Sequence, residues 1–211
     1  MSWIAILLIM LSLFSSGSER PYREADYDWA SAHFYPVLDE LMPLKGAPGT
    51  YVIYRAHSES LRPEYWFSIG YDQNQDRHGL QKYLSAHVRM ADTNSIFDQI
   101  LRAHHSEPGR EMASIQKGLK LKAFELTEMS CPAIKDQVEK LENIQTSVPK
   151  FHDTGAFIFG DRMRNEFQIQ QNSEQMSLVL LEDLKSPPEI PLLNWAYWTR
   201  RALDSCAQTT R

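Results

Sequence analysis

TYVIYRAH at residues 50–57 and YWFSIGYD at residues 65–72 set the architecture of this chain. Both are rich in β-branched and aromatic side chains, which pack well on a pleated surface, so both are predicted as strands. The polar stretch Ser58–Glu64 between them holds Pro63 and reads as a loop, which predicts an antiparallel pair. Further along, Leu119–Glu128 alternates, but its apolar parity changes from Leu119, Leu121 and Ala123 to Phe124 and Leu126. A bulge near Ala123 would account for that change. Three more strands, at about 154–160, 165–171 and 176–182, are joined by short polar turns and read as a β-meander.

Helical periodicity fills the spaces between these strands. Tyr27, Ala30, Phe34, Val37, Leu38 and Leu41 recur at spacings of three and four, with Pro36 among them, which predicts a kink or two shorter helices. The same spacing predicts helices over 78–91 (Leu80, Tyr83, Leu84, His87, Val88, Ala91) and 94–105 (Ile96, Phe97, Ile100, Leu101, His104). Asp92–Asn94 would join these two as an antiparallel helical hairpin. Residues 106–118 hold a Pro108-Gly109 turn and one helical turn. Ile134, Val138 and Leu141 mark a helix after Pro132, and Leu192, Trp195, Ala196, Thr199, Leu203 and Cys206 mark the last one. Strand pairs separated by blocks of helices do not follow the βαβα rhythm of a doubly wound sheet. The expectation is a single α+β domain over residues 18–211. It has a mostly antiparallel sheet of about six strands (hairpin, bulged strand, C-terminal β-meander) with helices packed on one face.

Composition narrows the classes of function. Of 211 residues, 43% are apolar and 23% charged, enough to bury a core, which excludes a disordered or collagen-like chain. A net charge of −5 lacks the basic field expected of a protein built around a phosphate backbone, so no nucleic-acid partner is expected. Trp3–Phe14 is apolar apart from Ser12, and the first charged side chain is Glu19. That run falls short of the roughly 20 apolar residues of a membrane span, so no stable span is expected. It suits a secretory signal over residues 1–17, with Ser15 and Gly17 at the small positions of the cleavage site. The n-region carries no Lys or Arg. A periplasmic or secreted location follows as an expectation. In such a compartment the two cysteines, Cys131 and Cys206, are expected to pair.

Motifs with a chemical meaning are few. Asp72, Asn74 and Asp76 open like a calcium loop, yet the sixth and twelfth positions are Arg77 and Tyr83 in place of Gly and Glu. His57-Ser-Glu59 matches the H-x-E of zinc deaminases without their paired cysteines. Ser114–Lys117 and Ser147–Lys150 have Ser-x-x-Lys spacing at the frequency chance produces. His87 and His104 fall on the apolar stripes of the two hairpin helices, about two turns apart in level, which predicts core histidines and not ligands of one ion. No cofactor and no metal centre is expected. Tyr197, Trp198, Arg200 and Arg201 have the composition of a protein contact surface.

These features predict an exported, non-enzymatic binding module, of the inhibitor or immunity type, that recognises a partner protein. The alternative is a small hydrolase whose site is assembled by folding, with His57, Glu59, Asp72, Asp76 and His78 as its nearest group in sequence.

Overall fold

Backbone hydrogen bonding and the alternation of apolar side chains place a single antiparallel sheet at the centre of the molecule. The computed structural model describes residues 21–47, 49–58, 63–76, 79–144, 163–171, 174–181 and 188–209. Its elements are α1 (Glu24–Leu41), β1 (Thr50–His57), β2 (Tyr65–Asp76), β3 (Gly79–Ala91), α2 (Ile96–Ser106) and α3 (Met112–Gly118). They continue with β4 (Leu121–Thr127), α4 (Ala133–Glu142), β5 (Arg164–Gln171), β6 (Glu174–Leu181) and α5 (Pro191–Thr209). The six strands lie in the order β4-β3-β2-β1-β5-β6, every neighbouring pair antiparallel. The α+β class and the six-stranded antiparallel sheet are as the sequence predicts.

One strand differs from expectation. Residues 79–91, whose three-and-four spacing reads as a helix, form β3, so a strand followed by α2 replaces the helical hairpin. Leu84, Ala86 and Val88 also alternate with Ser85, His87 and Arg89, and β2 selects that second period. It pairs with β3 from Tyr65↔Met90 to Asp76↔Gly79, satisfying backbone groups along its whole length. The strand expected at 154–160 lies outside the described residues. Pro36 sits within one continuous α1. The N-cap of α2 is Ser95, whose side chain accepts from the Asp98 N–H at 3.0 Å, one residue beyond the expected capping cluster.

β4 carries no bulge: its register against β3 is unbroken from Ser85↔Thr127 to Ala91↔Leu121. The parity change has another cause. Phe124 and Leu126 pack into one core and Leu119 and Leu121 into another, on opposite sides of the sheet. The first core joins Val52, Tyr54, Phe67, Ile69 and Phe167 to Ile134, Val138, Leu192, Trp195 and Leu203, so α4 and α5 form the helical layer on that face. The Trp195 indole donates to the Gln137 carbonyl at 2.7 Å, and Cys131 and Cys206 form a disulfide with Cα atoms 5.6 Å apart. The second core brings Ile53 and Trp66, which point the other way, against Phe34, Val37 and Leu38 of α1 and Phe97 and Ile100 of α2. Among the described residues no helix is long and apolar enough to cross a membrane.

Candidate functional site: the open half of the second sheet face

The last carbonyls of a helix need partners, and α1 has no basic residue in its own last turn. The sheet supplies the donors. Arg89 donates to the Leu41 carbonyl at 2.5 Å, Arg55 to the Met42 carbonyl at 3.1 Å, and the Trp66 indole to the Pro43 carbonyl at 2.8 Å. Two guanidinium groups therefore meet the negative end of the helix, a favourable charge arrangement. Arg55 is also paired with Asp39 and with buried Glu166, each at 2.6 Å. Burial alone would raise the Glu166 carboxyl. The hydrogen bond from His57 and the Arg55 guanidinium more than offset that and hold it at about 2. At this clamp Arg55, His57 and Glu166 are buried.

Beyond the clamp the face is open. Chain turns sharply at Gly49, whose φ of +93° suits glycine, and a Cβ there would lie 2.7 Å from the Tyr71 carbonyl. A Cβ on Gly70 would likewise lie 2.8 Å from the Gly49 carbonyl oxygen and Thr50 Cα, so this loop rests directly on β2. Between the loop and β4 lies a cavity of about 460 Å³, with Trp66 and Lys45 in its lining and Ser68, Ser85, His87 and Glu125 among its polar residues. That size is ordinary for small-molecule sites.

Strand register builds the polar floor. Ser68, His87 and Glu125 are cross-strand partners in β2, β3 and β4, and Asp72 lies four residues along β2 from Ser68, on the same face. His87 Nε2 is 3.4 Å from Asp72 Oδ2, and His87 Nδ1 is 3.7 Å from Glu125 Oε2. Ser85 Oγ donates to Asp72 Oδ2 at 2.5 Å and holds that carboxylate against the sheet. Taking one ligand atom from each, Asp72, His87 and Glu125 converge within 4.8 Å of one another. An imidazole between two carboxylates can bind a cation, orient a polar ligand or move a proton.

The expected core role of His87 is corrected by this arrangement: its side chain is 44% exposed and points into the cavity. The helical reading of residues 78–91 put it on an apolar stripe, whereas the alternation of β3 puts it opposite Leu84, Ala86 and Val88. His104 does pack inward, stacked on Trp29 with ring centres 4.0 Å apart. Of the group His57, Glu59, Asp72, Asp76 and His78, Asp72 lines the cavity. His57 is buried beneath α1 beside Glu166, beyond the Ala56↔Tyr65 pair, and so roughly 20 Å or more from Asp72 at the rise of a strand. Asp76 is placed in β2 opposite Gly79, and Glu59 and His78 lie outside the described residues. On α5, Trp198 is 49% exposed, in an edge contact with Tyr197, whose ring Arg201 overlies at 6.0 Å. Arg200 turns inward over the Tyr65 ring at 4.3 Å.

No family model matches the chain, and no curated protein or solved structure matches it either. Fold and site define a class: an α+β module, tied by one disulfide, with one face of its sheet half open.

Proposed function

We propose that the protein is an exported, non-enzymatic binding module that holds its ligand on the open half of the sheet face. The observation that carries this is the division of that face. Three donors pin the end of α1 over one half, while the other half is left as a cavity floored by Asp72, Ser85, His87 and Glu125. Export is supported by the disulfide and by the apolar run at Trp3–Phe14. Recognition of a partner protein belongs to the same proposal and is assigned to the exposed corner of Tyr197, Trp198 and Arg201.

Ala123 is exposed on β4 at the cavity lining, so Ala123→Trp fills the cavity without disturbing a core. Native mass spectrometry of protein isolated from medium or periplasm should show a bound small molecule on the parent and none on Ala123→Trp. Equal loading of the two, or a bare parent, argues against the cavity. A second reading, a small hydrolase, is favoured by the placement of Asp72 beside His87. It predicts steady turnover of an ester, phosphate or glycoside that His87→Ala removes.

A further inference from the structure

We propose that Asp72, His87 and Glu125 bind one first-row divalent cation, best matched by Zn²⁺, with its remaining coordination position open to the cavity. The site lies in the cavity assigned above as the ligand site, and in that sense the proposal rests on that reading. Three observations carry it. The donor set is one imidazole and two carboxylates, and three protein ligands with an open fourth position are the pattern of an accessible zinc site. Ca²⁺ prefers six to eight oxygens and Mg²⁺ keeps most of its waters, so the nitrogen and the low ligand count favour a transition ion over either.

Distances agree with that choice. Ligands about 2.0–2.1 Å from a tetrahedral ion stand roughly 3.3 Å apart. His87 Nε2 and Asp72 Oδ2 are 3.4 Å apart without an ion. Glu125, half exposed on the edge strand, lies 3.7 Å from the other ring nitrogen, Nδ1. One ligand atom from each of the three residues already falls within 4.8 Å of the others, and a change of Glu125 rotamer would close the remaining gap on the Nε2 side.

The surroundings are prepared as well. The Ser85 hydroxyl fixes the Asp72 carboxylate, the role of an outer-sphere partner that orients a ligand. Two carboxylates face one imidazole, and the Arg89 guanidinium in the same cavity is occupied by the Leu41 carbonyl and lies over Trp66 at 5.4 Å. A dication balances the charge that these two carboxylates bring.

The test uses the full chain with its disulfide intact, free of any affinity tag and stripped with a chelator. Zn²⁺ alone is titrated against a chromophoric competitor. The expected result is one ion per chain, with affinity reduced at least about tenfold in Asp72→Asn and Glu125→Gln and further in His87→Ala. Zn²⁺ should raise the melting temperature of the parent and leave that of His87→Ala unchanged. Glu125→Gln alters an exposed edge position and keeps the test valid should His87→Ala fold poorly. Less than one ion per chain at about 100 µM free Zn²⁺, or equal affinity in parent and Glu125→Gln, overturns the site. No other ligand is present, so the outcome is independent of whether the cavity holds a small molecule.

Discussion

Glu64 shows how far one buried carboxyl can departs from its ordinary behaviour. Just before β2, it is fully buried against the N-terminus of α2, where its Oε2 accepts the Ile96 N–H at 2.6 Å. Burial pushes its pKa up to about 7, against the lowering effect of the Ile96 and Phe97 N–H groups. The folded state therefore holds this proton more tightly than the unfolded chain. The resulting stabilisation is complete below the ordinary value of 4.5 and is lost as pH rises through about 7. Glu64→Gln keeps an acceptor for Ile96 and removes the titration. Urea unfolding should show the variant gaining on the parent between pH 4.5 and 7, whereas a constant difference would count against a raised pKa. Glu166 acts in the opposite sense: its carboxylate is held at about 2, so its stabilisation is present above 4.5 and fades only in strong acid. Arg55→Ala leaves the Glu166 carboxylate with the Arg164 guanidinium and His57 but removes its buried partner, and it frees the Met42 carbonyl. A loss of about 1.5–3 kcal/mol is expected, and a loss below about 0.5 kcal/mol would show that the clamp on α1 is dispensable.

Elements were legible where one period dominated. β1 and the first half of β2 are rich in β-branched and aromatic residues, and α4 and α5 show a single apolar stripe, so local pattern predicts them, whereas residues 73–76 of β2 carry no such signal and read as a loop. In β3 two periods overlap, and only the length of β2 beside it favours the strand. That overlap conceals the candidate site in the sequence, because His87 changes from a stripe residue to a cavity residue when the period changes from 3.6 to 2. The parity change in β4 was visible but its cause was not: a strand buried on opposite faces at its two ends mimics a bulge in one dimension. The Cys131–Cys206 pair is readable from the expected compartment and the wheel of α5, and the bridge joins the start of α4 to the last turns of α5. Closing a loop of that size is worth about 4.5 kcal/mol in the chain-entropy model, an upper value. Reduction should lower the melting temperature by several degrees, at about 2–4 °C per kcal/mol for a chain of this size. Titration of denatured, unreduced protein should find no free thiol, and two thiols per chain would refute the bridge.

At the scale of the whole molecule, the sheet separates two tasks. One face is closed by α4, α5 and the disulfide and supplies most of the core. The other is covered by α1 and α2 over part of its length, and its open half collects the polar residues of β2, β3 and β4. A partner protein held at the Trp198 corner should lose affinity by about 2 kcal/mol or more in Trp198→Ala, measured by calorimetry against that partner, and an unchanged affinity removes the corner from the interface. The central claim is that the open half of the sheet face is where this protein binds its ligand. Amide-shift mapping of the isotopically labelled full chain against a library of small polar molecules tests it most directly. Shifts gathered on residues 66–72, 85–89 and 123–125, and absent in Ala123→Trp, are the predicted result. Binding that maps instead to the β6 edge or to α5, or that persists in Ala123→Trp, would contradict it.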